Sequence, residues 1–189
     1  MDYYRDQVTQ KSWVLLQNLV RKYKFILIGG WAVWLYTKQL KSKDIDLITE
    51  FDQLAKFKNN FPLVKNERLK KYEIIQDEIH IDVYVPHYSQ LGADVTQTTV
   101  VDGFTVPPPE ILIALKLVAY HSRVHSSKGR KDLIDIVSLL LLPHLNWSLV
   151  PPQIIPIVNS QTDLPELNLN SHQFSHLKKL WLDKLQLKC

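Results

Sequence analysis

The sequence predicts an α/β fold followed by a helical C-terminal part, and three observations support that prediction. Short apolar or alternating runs at residues 25–28, 44–49, 72–76 and 79–85 have the length and pattern of strands, and helix-like segments lie among them. After Pro107-Pro108-Pro109 the patterned segments have helical spacing. The chain has 189 residues, 46% of them hydrophobic, enough to bury a core and to exclude overall disorder. The expected organisation is an α/β core over residues 1–106 and a helical part over residues 107–189.

Each element has its own signal. Val8, Leu15, Leu16, Leu19 and Val20 make residues 5–23 an amphipathic helix. Phe25-Ile26-Leu27-Ile28 is a buried strand stopped by Gly29-Gly30, and an apolar helix follows from Trp31 to Tyr36, with Trp31 and Trp34 expected in the core. Residues 38–43 form a basic loop, and Asp44 to Thr49 alternates as a strand with one wet face. A helix over 51–60 is expected to start near Asp52 as its cap. Strands over 72–76 and 79–85 meet at Asp77-Glu78, and residues 98–106 bend around Asp102-Gly103 as a hairpin. The prolines at 107–109 suit a helix start. That helix runs to about Val124, a polar break covers 125–129, and another helix continues to about Leu142. Pro143, Pro151, Pro152 and Pro156 interrupt the next stretch, and Phe174, Leu177, Trp181 and Leu185 mark a last helix over 171–187.

Charge and composition narrow the function classes. The net charge is +4, but residues 21–71 hold 12 Lys/Arg against 5 Asp/Glu, so the basic excess sits in the N-terminal half. Cys189 is the only cysteine, which excludes a disulfide framework and a cysteine metal site. The first residues lack the pattern of a signal peptide, and the longest apolar stretch, Leu133 to Leu142, is too short to span a bilayer. A cytoplasmic protein with no membrane association is the expectation.

The chemistry is concentrated in Gly29-Gly30, Asp44-x-Asp46 and Asp82. In a strand, Asp44 and Asp46 would share a face, and two carboxylates side by side suit a hard divalent ion such as Mg²⁺. Asp82 lies between Ile81 and Val83; if its strand pairs with 44–49, three carboxylates converge in the geometry of metal-assisted phosphoryl transfer. Glycines ahead of a helix let backbone N–H groups approach a phosphate. Taken singly, an Asp-x-Asp is usually a solvated strand end and a Gly-Gly a turn; their joint order is the signal. No Walker-type loop, His-Glu-x-x-His or Gly-x-Ser-x-Gly is present, and His80, His87, His121 and His125 lack metal-ligand spacing.

Residues 28–33 (Ile-Gly-Gly-Trp-Ala-Val) followed by 42–47 (Ser-Lys-Asp-Ile-Asp-Leu) resemble the signature of the nucleotidyltransferase superfamily, the polymerase-β-like fold, with Asp82 where that family carries a third carboxylate. Leu115-Lys116-Leu117, Arg123 and residues 131–136 are similar to the helical segment of AbiEii-type and MenT-type nucleotidyltransferases, toxins of toxin–antitoxin systems. One departure is that the family often has Arg directly before the residue matching Asp132, where this chain has Lys131 preceded by Arg130. The resemblance covers roughly residues 25–140 and implies a mixed sheet flanked by helices. It also implies Mg²⁺ or Mn²⁺ held by Asp44, Asp46 and Asp82, with Asp82 helping to activate the acceptor. Gly29 and Gly30 would seat the phosphates of an NTP such as ATP. Lys116 and Arg123, which share a helix face, would add positive charge against the triphosphate. Asp132 would be a further site residue, with Asp135 one turn on as its companion.

The expected reaction is transfer of a nucleoside monophosphate from an NTP to an acceptor hydroxyl, releasing pyrophosphate. The basic segment, with Lys38, Lys41 and Lys43 just before Asp44, suits a tRNA 3′ end, and a toxin of this kind would have a cognate antitoxin as partner. A protein or small-molecule acceptor is an alternative, and a non-catalytic nucleotide- or RNA-binding module is another. Lys116 could instead snorkel, and Arg123 and Asp132 could form a purely structural ion pair.

Overall fold

Seven short strands over residues 26–106, with two helices among them, build a five-stranded sheet and a separate two-stranded one. The structure is a computed structural model and describes residues 2–150. The chain divides into two compact units between Pro108 and Pro109. The final helix expected over 171–187 lies outside the described residues.

The first unit contains α1 (Asp2–Lys22), β1 (Ile26–Ile28), α2 (Gly29–Thr37), β2 (Ile45–Ile48), α3 (Phe51–Asn60), β3 (Val64–Asn66), β4 (Lys71–Gln76), β5 (Ile79–Tyr84), β6 (Thr99–Val101) and β7 (Phe104–Val106). The main sheet has the order β1-β2-β5-β4-β3, and only the β2–β5 pair is parallel. Alternation decides which face is dry: Ile79, Ile81 and Val83 of β5 are buried while His80, Asp82 and Tyr84 on the other face are not. The β4–β5 turn, Asp77-Glu78, has positive φ at both residues, the backbone of a tight two-residue hairpin, and this locks the register of the two strands.

Aromatic packing secures α1. Trp13 lies 5.0 Å from Trp31, 5.0 Å from Trp34 and 5.5 Å from Phe104, ring centre to ring centre. Trp31 is buried and donates Nε1–H to Ser12 Oγ at 2.9 Å, so the polar atom of the largest core side chain is satisfied. Trp34, expected in the core, is half-buried with Lys38 Nζ 4.4 Å above its ring. At the other end of α1, Tyr23 stacks on Phe57 of α3 at 4.1 Å.

The second unit, as far as it is described, holds α4 (Pro109–Ser122), α5 (Ser127–Leu140) and a 3-10 turn at Trp147–Leu149. α4 and α5 pack together, with Leu112, Ile113, Leu117, Leu133, Ile136 and Leu140 buried. The Asn146 N–H donates to the Glu110 carboxylate at 2.6 Å, joining the chain after α5 to the start of α4.

Several boundaries differ from expectation for local reasons. α2 opens at Gly29, so both glycines lie in its first turn and not ahead of it. The cap of α3 is Glu50, through its carbonyl; Asp52 sits in the first turn, accepting from the Gln53 amide. β3 was hidden because Val64-Lys65-Asn66 is a short, mostly exposed edge strand with no apolar alternation. α4 stops at Ser122, and Ser126 caps α5 by accepting from Gly129 N–H at 3.0 Å, so the break is shorter than 125–129. Gly129 is helical: a Cβ there would collide with the Arg123 carbonyl oxygen and stand 2.9 Å from that of Val124.

Among the described residues, no helix is long and apolar enough to cross a membrane.

Candidate active site

The turn from β1 into α2 is where sequence and geometry first meet. Gly29 has φ +68°, a conformation that disfavours any side chain. A Cβ added there would overlap Asp46 Oδ2 and stand 2.7 Å from Asp46 Cγ and 2.8 Å from Asp46 Cβ. The absent side chain of Gly29 is therefore the space that the Asp46 carboxylate fills. That carboxylate lies at the N-terminal end of α2, where backbone N–H groups are unpaired within the helix and the dipole favours negative charge.

Register extends this point into a row. Ile28 pairs with Asp46 across β1–β2, Asp46 with Asp82 across β2–β5, and Asp82 with Glu73 across β4–β5. Directly opposed residues project to one face of a sheet, so Asp46, Asp82 and Glu73 share a face. The strands that carry Asp46 and Asp82 do pair, the condition on which a convergence of the carboxylates depends.

The convergence of three aspartates takes a different form. β2 begins at Ile45, and Asp44 sits in the bend before it, so strand alternation does not set its direction. Among the described residues, no three Asp, Glu, His or Cys side chains are gathered as the ligands of one ion. Asp82 has a partner that sequence reasoning missed: Lys71 Nζ lies 2.6 Å from Asp82 Oδ2 and 3.1 Å from Glu73 Oε1. Glu73 Oε1 also accepts from Asn66 Nδ2 at 2.9 Å. Burial lowers the pKa of Lys71, but its hydrogen bonds and charge contacts with Asp82 and Glu73 outweigh that and hold the ammonium above its ordinary range. Burial likewise pushes the Glu73 carboxyl upward, and the hydrogen bonds from Asn66 and Lys71 prevail to hold it low.

A signal for Lys71 was present in the sequence. A two-residue turn at Asp77-Glu78 dictates that Glu73 faces Asp82, and period two then puts Lys71 on the same face.

The rest of the basic segment is solvated. Of the 12 Lys/Arg in residues 21–71, Lys71 is the one that is buried, and the other 11 are exposed. Lys41 and Lys43, beside Asp44, are among the exposed ones, while Lys38 is paired with Asp102 at 2.7 Å. A cavity of about 1280 Å³ lies elsewhere in this unit, lined by Tyr23, Ile48, His87 and Val95 among others, and none of the three aspartates borders it.

In the second unit, Lys116 and Arg123, whose spacing puts them on one helix face, both meet Asp132. Lys116 Nζ lies 3.0 Å from Asp132 Oδ1 and 2.6 Å from Asp135 Oδ2; Arg123 reaches Asp132 Oδ2 with Nε at 2.7 Å and Nη2 at 2.6 Å. Lys116 does not snorkel: its side chain is 10% exposed, and those of Asp132 and Asp135 are 2% and 1%. Burial raises the Asp135 pKa against the opposing pull of Lys116. The α4–α5 pair is thus clamped by Lys116 and Arg123 together with Asp132 and Asp135.

Chemically, the hard oxygen donors of Asp46, next to a helix N-terminus, are of the kind that fits a divalent cation shared with substrate phosphates. The Gly29 cradle, which places the Asp46 carboxylate at that helix end, is the structural observation behind the fit.

No protein-family model and no curated protein matches the sequence. Solved structures do resemble it. JHP933 from Helicobacter pylori superimposes with a TM-score of 0.61 at 16% identity, over 94% of this chain and 93% of that one. A candidate nucleotidyltransferase from H. pylori gives 0.59 at 16% identity, over 97% and 96%. The chain therefore has a nucleotidyltransferase-like fold: a five-stranded mixed sheet flanked by helices.

Proposed function

We propose that this protein is a metal-dependent nucleotidyltransferase that moves a nucleoside monophosphate from an NTP to an acceptor hydroxyl. The observation that carries the proposal is the Asp46 carboxylate seated on Gly29 at the start of α2 and in register with Asp82. A divalent ion on Asp44 and Asp46 would polarise the reacting phosphate and neutralise the departing pyrophosphate. The N–H groups at the start of α2, at Gly29 and Gly30, orient the phosphate chain. Asp82, held in place by Lys71, would take the proton of the acceptor hydroxyl as that oxygen attacks the α-phosphorus and the bond to the bridging oxygen breaks.

The exposed Lys41 and Lys43 just before Asp44, among the 11 exposed basic side chains of residues 21–71, favour a phosphate-rich acceptor over a protein or small-molecule one. On that basis we take a tRNA 3′ end as the first acceptor to test, in keeping with the resemblance to AbiEii-type and MenT-type toxins; a cognate antitoxin would accompany that role.

The experiment incubates the protein with Mg²⁺, each labelled NTP in turn, and total tRNA or total cell protein. Label should move to tRNA and stay unmoved with Asp44→Ala/Asp46→Ala. Transfer that survives the double substitution refutes the metal assignment. NTP binding without transfer to any pool would establish the non-catalytic module instead.

A further inference from the structure

The row of acidic side chains contains a cation of its own. Lys71 is buried while the other 11 basic residues of its segment are solvated, and an ammonium is kept out of water only where carboxylates compensate it. Two do so here, at 2.6 Å and 3.1 Å, and the sheet dictates where both stand. The tight turn at Asp77-Glu78 sets Glu73 opposite Asp82, and Asn66 on β3, which pairs with Lys71 across β3–β4, holds Glu73 from the far side. The position of Nζ therefore follows from four backbone-registered residues, and it touches the carboxylate that stands level with Asp46.

Resting on the proposed nucleotidyltransferase reading, we infer that Lys71 supplies the second positive charge of this site, so that the chain binds one divalent ion, on Asp44 and Asp46, and not two. Two observations lead there. Asp82 Oδ2 is already engaged by the ammonium, and a divalent ion on the same carboxylate would sit within a few ångströms of a like charge in a partly dry place. Glu73, the neighbouring carboxylate of the row, is likewise engaged through Oε1, by Lys71 at 3.1 Å and by Asn66 Nδ2 at 2.9 Å. A fixed ammonium can anchor Asp82 as a second metal would, without depending on ion concentration. Lys71 is thus a positioning residue, acting on the acceptor through Asp82.

The test counts Mn²⁺ retained per chain by equilibrium ultrafiltration, with the full-length protein saturated by a slowly transferring NTP analogue. The wild type should retain one ion, and so should Lys71→Arg, which keeps the charge. Lys71→Met, checked by circular dichroism for folding, should retain two, because Asp82 and Glu73 are then open to a cation. Asp82→Asn should still retain one, which keeps the inference testable if Lys71→Met fails to fold. Two ions on the wild type, one ion on folded Lys71→Met, or none on Asp82→Asn would each overturn it. No ion on the wild type would instead bring down the metal-dependent reading beneath it.

Discussion

Gly29→Ala perturbs the site at its most constrained point. The substitution has two separable costs. First, alanine must adopt φ +68°, the left-handed region, at roughly 1–2 kcal/mol. Second, the new methyl must find room where Asp46 stands, and rotating the carboxylate aside is not enough, because Asp46 Cβ itself is 2.8 Å from the new atom. Cβ moves only with the backbone, so β1 and β2 must separate at the Ile28–Asp46 pair, an overpacking cost of about 1–3 kcal/mol. Together these give about 2–5 kcal/mol, equivalent to a fall in melting temperature of roughly 5–15 °C for a chain of this size. Gly103→Ala is the internal control: its φ is +82° but nothing lies within 4 Å of the added Cβ, so it incurs the conformational cost alone. Urea denaturation of both variants, followed by tryptophan fluorescence, measures the difference. Mn²⁺ affinity should fall in Gly29→Ala as Asp46 is displaced, and stay at the wild-type level in Gly103→Ala. Equal destabilisation by the two substitutions would refute the argument that Asp46 occupies the space a side chain would need.

Three further outcomes follow from buried polar groups. Asp132→Asn should cost roughly 3 kcal/mol in urea denaturation, since both Lys116 and Arg123 lose their shared buried carboxylate, whereas Asp135→Asn should cost under about 1 kcal/mol because Lys116 keeps Asp132. Burial raises the folded-state pKa of Asp135 above its ordinary 3.8, so the folded form holds the proton more tightly and stability falls as pH rises from 3.8 through the raised value; denaturation series with Asp135→Asn should lack that slope. Ser12→Ala strands the Trp31 N–H in the core and should cost about 1–3 kcal/mol; Ser12→Ala combined with Trp31→Phe should be less destabilising than the two single effects added, and strict additivity would show that the 2.9 Å bond contributes nothing.

What was legible in the sequence is what local pattern controls. The Asp82 strand shows its dry face as Ile81 and Val83, and the glycine pair marks a tight strand-to-helix turn. The helix cap at Ser126 and the start of β2 at Ile45 were less visible, because they depend on which backbone groups find partners, and a pattern of apolar residues does not encode that. β3 could not be seen at all from Val64-Lys65-Asn66, whose pairing with β4 comes from sheet context and not from its own periodicity. The ion-pair network of Lys116, Arg123 and Asp132 was half legible: helical spacing puts the two cations on one face, but the sequence leaves open whether they turn toward solvent or toward carboxylates. Burial decides that question, and it favours the carboxylates.

The same distinction gives the basic excess its physical meaning. Counted along the chain, residues 21–71 are a single positive segment; in the structure they separate into 11 solvated charges and one internal counter-ion. The solvated group acts over a distance set by salt, so it can recruit a polyanion but cannot position one atom against another. Lys71 does the opposite: at 2.6 Å from Asp82 it is nearly independent of ionic strength and constrains one carboxylate. Acceptor affinity should therefore weaken steeply with added salt in the wild type and to the same degree in Lys71→Arg. Replacing Lys41 and Lys43 with Gln should flatten that dependence while leaving the number of bound Mn²⁺ ions at one. A salt slope that followed Lys71, or an ion count that followed Lys41 and Lys43, would mean that the two sets of charges are not divided in this way.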